Sequence, residues 1–355
     1  MEKITVELTK NPKQKPVGDL PFGKIFTDHM FVMEYEAGKG WFNPRIVPYG
    51  PFSMDPAGVV LHYGQEIFEG LKAYRSPNGE IRLFRPEQNY MRMNKSCERL
   101  SIPLLDVDFC VEATKQLVEL DKDWVPSTPD SSLYIRPFIF ANDVGLGVHA
   151  AKNYIFCIIL APSGPYYPEG LDPVKIMIED EDVRAVRGGM GYAKTGGNYA
   201  ASLRAGERAL EKGYSQVLWL DGVERKYIEE VGAMNVFFKI NGVIVTPVLQ
   251  GSILDGITRK SCIQLLRHWG YTVEERLLSV DELMGAAADG TLEEAFGSGT
   301  AAVISPIGVL AYGDQVCQIN NGDIGEVSQK LYDGLTAIQW GKAEDPFGWS
   351  VKVCD

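Results

Sequence analysis

Histidine is scarce in this 355-residue sequence. The four copies, at 29, 62, 149 and 268, show no HExxH or comparable spacing, so a histidine-built metal site is not expected. The six cysteines (97, 110, 157, 262, 317, 354) include no CxxC pair, which argues against a zinc site or a disulfide scaffold and for reduced thiols. Long apolar runs are also missing. The longest, Tyr154 to Ala161, has eight residues, against the roughly twenty of a membrane-spanning helix. The start, MEKITVELTKNPKQKPVGDL, has no apolar core of a secretory signal, and a cytoplasmic location is expected. Positive charge is in deficit, 35 Lys plus Arg against 47 Asp plus Glu, and a net charge of −12 opposes nucleic-acid binding. Repeats and low-complexity segments are absent as well.

What is present is an ordinary globular balance, 45% hydrophobic and 23% charged, in a length that suits two domains of about 150 residues each. Short apolar runs alternate with helical patterns, which predicts an α+β fold. Strands are expected at 31–33, 58–63, 81–84, 133–140, 154–161, 174–178 and 215–220. Helices are expected from Pro86 to Leu100, since proline suits the first helical position, over 108–121, and over 199–212. Asn241-Gly242 between two apolar runs predicts a tight hairpin. The first twenty-odd residues predict a loose arm. Residues 163–173 (Ser-Gly-Pro-Tyr-Tyr-Pro-Glu-Gly-Leu-Asp-Pro) hold three prolines and two glycines and break any regular element. The expected division is a smaller N-terminal domain over 1–163, a linker over 164–173, and a larger C-terminal domain over 174–355.

The most unusual segment is Arg187-Gly-Gly-Met-Gly-Tyr-Ala-Lys194-Thr-Gly-Gly-Asn-Tyr199, five glycines around one lysine. A lone lysine is ordinarily a solvated surface charge, but a surface charge needs no such setting. Gly188 to Thr195 nearly fits a phosphate-cradling GxxxxGK[ST] loop. Ala193 stands where that loop requires glycine, and the chain continues into Gly-Gly instead of a helix, so a nucleotide triphosphatase is rejected. The competing chemistry is an amine that forms a Schiff base with a carbonyl cofactor, which requires a pKa well below about 10.4.

Downstream, Glu230 follows Glu229 before a strand. It is either a solvated loop acid or a carboxylate facing a cofactor ring nitrogen. Gly256-Ile257-Thr258 opens a helix whose free amides would suit a phosphate, or it is an ordinary capped helix. Phe296-Gly-Ser-Gly-Thr300-Ala-Ala is a small-residue turn able to meet the same anion or a carboxylate, or a plain connection between strands.

Taken together, Lys194 with Gly196-Gly-Asn-Tyr199, the Glu230…Asn235…Thr246…Gly256…Arg259 string and Gly297-Ser-Gly-Thr-Ala resemble the fold type IV enzymes that use pyridoxal 5'-phosphate (PLP), and most closely the branched-chain amino acid aminotransferases. Leu61-His-Tyr-Gly, Phe68-Glu-Gly-Leu-Lys72, Leu83-Phe-Arg-Pro, Asp121-Lys-Asp-Trp-Val-Pro and Leu133-Tyr-Ile-Arg-Pro extend the resemblance over nearly the whole chain. It implies a Schiff-base and proton-shuttling role for Lys194, a hydrogen bond from Tyr199 to the cofactor's phenolic oxygen, and Glu230 at the pyridine nitrogen. The phosphate would meet the Ile257 and Thr258 amides, Thr300 and Arg92. Without the family, Arg92, like Arg85, would pass for a surface arginine. For substrate, the resemblance implies a carboxylate at the Thr300 and Ala301 amides and the Tyr134 hydroxyl. Phe68, Tyr63 and Tyr166 would wall an apolar pocket, with Tyr63 and Val148 reaching in from the neighbouring subunit of a homodimer. Arg136 and Lys72 could seat the second carboxylate of glutamate.

Two departures stand out. Ala233 replaces a threonine that some members carry, and no CxxC follows the 297–301 turn, so redox switching is not carried over. The activity implied is reversible ping-pong transamination of leucine, isoleucine and valine with 2-oxoglutarate. The rivals are a D-amino acid aminotransferase or aminodeoxychorismate lyase on the same fold, and a PLP carrier without catalysis.

Overall fold

The structure, a computed structural model, describes residues 2–166 and 171–354. The chain forms two compact units, one of 1–166, 193–196 and 337–355, the other of 167–192 and 197–336. The expected linker over 164–173 includes 167–170, which lie outside the described residues. Residues 193–196 and 337–355 were expected in the C-terminal domain, but they pack with the first unit. The reason is hydrogen bonding: the C-terminal strand Ser350–Cys354 pairs antiparallel with Ile81–Phe84, and Phe68 N–H donates to the Lys194 carbonyl at 3.0 Å.

In the first unit, β1 (Thr5–Val6), β2 (His29–Glu36), β3 (Gly40–Pro48), β4 (Glu66–Phe68), β5 (Leu71–Arg75), β6 (Ile81–Phe84), β7 (Ser132–Ala141) and β8 (Asn153–Ser163) join the C-terminal strand in one sheet. The order is β1-β3-β2-β8-β7-β5-β6 and the C-terminal strand, with β4 also on β7. Residues 59–63, expected as strand, instead form the single-turn helix α1 (Val59–Tyr63). Only Val59 is buried there, and Gly64, at φ +59°, closes the turn. Apolar residues at 59–61 lack the two-residue alternation that would hold a half-buried strand. Pro86 opens α2 (Pro86–Arg99), and Asp106 caps α3 (Val107–Leu120) by accepting the Phe109 N–H at 3.0 Å, a contact worth about 1 kcal/mol. Tyr90, Met93 and Cys97 of α2 and Cys110, Ala113 and Leu117 of α3 are buried in a core with Phe31, Ile135 and Phe156 of the sheet. The arm is fastened, not loose. β1 pairs in parallel with β3, Thr9 N–H donates to His29 Nε2, and Lys13 and Lys15 bond to Asp28.

In the second unit, β9 (Val174–Glu179), β10 (Gln216–Leu220), β11 (Ile228–Val231), β12 (Met234–Ile240), β13 (Val243–Pro247), β14 (Val273–Arg276), β15 (Leu292–Gly299), β16 (Val303–Tyr312) and β17 (Gln315–Gln318) form a mixed sheet. Its order is β11-β10-β9-β16-β15-β12-β13-β14, with β17 on β16. The helix expected over 199–212 is broken into α4 (Gly196–Ala200) and α5 (Leu203–Glu211). At the break, Ser202 Oγ donates to the Tyr199 carbonyl at 2.7 Å, taking an acceptor from the helical ladder. α6 (Ile257–His268) and α7 (Val280–Asp289) complete the helices that matter here.

The hairpin is as expected. Ile240 faces Val243, and Asn241 and Gly242 take φ +48° and +76°. No atom crowds Gly242, so a side chain there is opposed by the backbone conformation alone. Gly242→Val is expected to lower stability by about 1–2 kcal/mol, read as an earlier urea midpoint at unchanged slope.

Candidate active site

The predicted site residues fall into two sets, one in each unit. In the first, the backbone of Lys194 is clamped on both sides. Its N–H donates to Ser96 Oγ of α2 at 2.8 Å, and its carbonyl accepts from Phe68 N–H at the end of β4. Thr195 Oγ1 donates to the Glu66 carbonyl at 2.7 Å, and the Gly196 N–H donates to the Glu66 carboxylate. A Cβ on Gly196 would lie 2.4 Å from Glu66 Oε1, so this glycine allows a close approach of the chain to itself.

The Lys194 ammonium lies over the Phe68 ring, 4.6 Å from its centroid, and the Arg136 guanidinium lies 4.7 Å from the same centroid. Arg136 Nη2 donates to Tyr134 Oη at 3.0 Å, while Arg136 Nε is buried with no hydrogen-bond partner among the described residues. Gly70 admits this tyrosine, since a Cβ there would lie 2.1 Å from its hydroxyl. Removal from water, reinforced by Arg92, brings the Lys194 pKa down to about 8, against the opposing pull of Glu69 and Tyr134. Lys72, on β5 opposite Tyr134, is likewise lowered to about 8 by burial.

Arg92 is not a surface arginine. It is buried on α2 and bonds both oxygens of Glu69, from Nε and from Nη2, at 2.8 Å each. Arg85 is the left-handed residue before α2, and its guanidinium lies over the Trp349 ring, 5.0 Å from the centroid. Glu69 is the residue that sequence reasoning passed over, although it sits in the Phe68-Glu-Gly motif. Tyr63, Tyr166 and Val148 are exposed, Val148 at 81%. Tyr63 Oη donates to the Leu146 carbonyl, which brings α1 against the loop that carries Leu146 and Val148.

In the second unit, Glu230 is not a solvated loop acid. It lies inside β11, is 3% exposed, and faces Asn235 of β12 in register. Its Oε1 accepts from Asn235 Nδ2 at 3.2 Å and from Leu254 N–H at 3.3 Å, and Arg184 forms an ion pair with its other oxygen. Arg184 also donates to the Ser252 carbonyl at 2.8 Å. No local motif announced Arg184. The neighbouring Glu229 is buried on Ser252 and its carboxyl is pushed up to about 7, mainly by loss of water.

α6 begins at Gly256 without a side-chain cap, which leaves the first-turn amides around Ile257 and Thr258 to an anion. A Cβ on Gly256 would lie 1.9 Å from Asn235 Oδ1, so the acid-holding asparagine and the helix start depend on one another. Arg259 and Thr246, also in the family string, are structural. Arg259 bonds the Pro247 carbonyl and Glu275, and Thr246 bonds the Val236 carbonyl. Thr300 and Ala301 occupy the turn between β15 and β16, while 296–299, expected in that turn, complete β15. Val303 follows at φ +64°, a strained conformation for a β-branched residue that costs about 1–3 kcal/mol. Ser298 Oγ is buried there without a hydrogen-bond partner among the described residues. Tyr199, partly buried on α4, is carried next to Asn198, whose amide is tied to the Met190 carbonyl at 2.8 Å. The glycine of Gly191 serves close packing as well, since a Cβ would lie 2.0 Å from the Ser252 carbonyl oxygen.

The first unit thus offers a lysine with a lowered pKa and a buried arginine on a fixed carboxylate, and the second, taken by itself, a braced buried acid and a helix start without a side-chain cap. Residues 66–309 match the family described as amino-transferase class IV. The chain belongs to that family. It is 60% identical over 353 residues to branched-chain-amino-acid aminotransferase 2 of Bacillus subtilis, covering 99% of this chain and 97% of that one. It is 50% identical to a probable branched-chain-amino-acid aminotransferase of Streptomyces coelicolor, covering 98% and 99%. Among solved structures, the Escherichia coli branched-chain amino acid aminotransferase superposes with TM-score 0.74 at 29% identity, covering 92% and 99%. The T.th. branched-chain amino acid aminotransferase with pyridoxamine 5'-phosphate gives 0.74 at 26%, covering 90% and 98%. In this class IV aminotransferase, Arg184→Met would leave Glu230 buried without its cation. It is expected to lower stability by about 3–5 kcal/mol in urea denaturation, and an unchanged midpoint would contradict the pairing.

Proposed function

We propose that the chain catalyses reversible transamination of L-leucine, L-isoleucine and L-valine with 2-oxoglutarate, using PLP. The names of its relatives at 50–60% identity over almost their whole length support the activity, and the T.th. structure with pyridoxamine 5'-phosphate supports the cofactor. The observation that carries the reading to this chain is the setting of Lys194, whose backbone is clamped by Ser96 and Phe68 and whose ammonium lies over the Phe68 ring, where loss of water brings its pKa down to about 8.

The chemistry of the residues in each unit supports the cofactor. Lys194 would bind its aldehyde carbon, Tyr199 its phenolic oxygen, Glu230 its ring nitrogen, and Arg92, the Ile257 and Thr258 amides and Thr300 its phosphate. When bound, PLP supplies an electron sink that makes the α-proton of an amino acid removable. Lys194 Nζ is the base that takes that proton from an L-amino acid, and the acid that returns one to the α-carbon when a 2-oxo acid is the partner. Loss of water at this position disfavours the charged form of the amine, which is the direction a base requires. Glu230 keeps its position through Asn235, Leu254 and Arg184.

Tyr134 Oη with the Thr300 and Ala301 amides would orient the substrate carboxylate. Phe68 and Tyr166, with the partner subunit's Tyr63 and the partner subunit's Val148, would surround the apolar side chain. Arg136, whose buried Nε has no hydrogen-bond partner among the described residues, is suited to the distal carboxylate of glutamate, with Lys72 nearby in the sheet. A homodimer is part of this proposal. Its support is a group of exposed apolar residues, Leu61, Tyr63, Val144, Leu146 and Val148, on α1 and the loop it touches. No helix of the described residues is long and apolar enough to cross a membrane.

Lys194→Ala is expected to lower kcat for leucine and 2-oxoglutarate about a thousandfold or more, measured as glutamate formed in a coupled assay. Turnover close to that of the unaltered protein would contradict the assignment.

A further inference from the structure

Glu69 has no assigned role in this chemistry, yet it is fully buried (0% exposed) between the two segments that hold Lys194. One segment is the end of β4. Phe68, which bonds the Lys194 carbonyl, immediately precedes Glu69. The other is α2. Ser96, which bonds the Lys194 N–H, lies one turn after Arg92, and its Oγ also reaches the Arg92 carbonyl at 3.4 Å. The carboxylate of Glu69 joins these segments. It accepts from Arg92 at both oxygens and from Asn89 Nδ2 at 2.8 Å and Gly70 N–H at 3.2 Å. Its own N–H is fixed to the Pro137 carbonyl at 2.7 Å.

Two consequences follow from elementary electrostatics. A guanidinium gripped at two of its five donors by a carboxylate has a fixed plane, which a single-point contact would not give. Two cations, Arg92 and Lys194, sharing a region with little water also repel one another, and one buried anion beside them offsets part of that repulsion. Resting on the proposed function, we propose that Glu69 is a positioning residue, which fixes the plane of Arg92 for the cofactor phosphate and holds the charge balance of the Lys194 amine. The titratable and charged groups acting on that amine are Arg92 of α2, Glu69 after β4, and Tyr134 and Arg136 of β7. Glu69 is the carboxylate in that group, and it acts to raise the Lys194 pKa against Arg92.

The test compares Glu69→Gln and Glu69→Asp with the unaltered full-length chain. The first readout needs no cofactor: the pH dependence of acetylation at Lys194 by acetic anhydride, followed on its peptide by mass. The second is the rate at which the loaded protein releases PLP to a scavenging hydrazine. In Glu69→Gln the carboxamide keeps the shape and loses the charge. The Lys194 midpoint is expected to fall by about one pH unit, and PLP is expected to leave about tenfold faster or more. In Glu69→Asp the charge remains but the carboxylate is withdrawn by one methylene. The midpoint is expected to stay nearer that of the unaltered chain while PLP still leaves faster.

A merely structural salt bridge would lower stability in both variants and leave the acetylation midpoint unmoved in the folded protein, and that result overturns the proposal. If Glu69→Gln does not fold, Glu69→Asp decides alone. Faster release with a retained midpoint supports the role, and both readouts unchanged overturn it. Failure of the unaltered chain to take up PLP would count against the proposed function, while the acetylation midpoints would still judge Glu69 on the Lys194 amine.

Discussion

Everything in the first unit turns on keeping one amine partly out of water. A lysine in solvent is almost wholly protonated near neutral pH, and a protonated amine is neither a nucleophile nor a base. Here loss of water and the nearby Arg92 lower the pKa of Lys194 to about 8, and the anion that limits the fall is Glu69. The backbone arrangement follows from that need. Ser96 and Phe68 grip the lysine on both sides, Glu66 grips the next two residues, and Phe68 lays its ring under the ammonium.

The second unit solves a different problem, that of holding a carboxylate in an apolar interior without losing its orientation. Glu230 sits within a strand, where the backbone cannot drift, and its oxygens are engaged by Asn235, Leu254 and Arg184. Removing water from an acid is costly unless its oxygens find donors, and these three supply them. Glycines permit the arrangement through backbone proximity. Gly256 leaves space for the Asn235 amide, and Gly191 lets the chain pass against Ser252, whose carbonyl also receives Arg184.

The parts of this architecture that rest on neighbouring residues are legible in the sequence. Asn241-Gly242 dictates its hairpin through backbone angles, Pro86 opens a helix, and Lys194, Glu230 and the Gly256-Ile-Thr start stand in recognisable strings. What could not be seen depends on residues far apart in the chain. Arg184 meets Glu230 across 46 positions, with nothing in its own neighbourhood to mark it. Glu69 and Arg92 become partners only when α2 packs beside β4. The strand expected at 58–63 fails because a left-handed Gly64 and a single buried side chain favour one helical turn, and the helix over 199–212 breaks where a serine hydroxyl takes a backbone acceptor. The C-terminal strand belongs to the first sheet through a pairing that no composition shift could show.

The central claim is that Lys194 serves a PLP-dependent exchange with L-branched-chain amino acids. Its most direct test is the near-ultraviolet and visible absorbance of the purified protein supplied with PLP, before and after addition of L-leucine without any acceptor. The account predicts a yellow band bound at Lys194 that L-leucine converts to the spectrum of pyridoxamine phosphate, and that 2-oxoglutarate then restores. A protein that stays colourless with PLP, or whose yellow band ignores L-leucine, would contradict it.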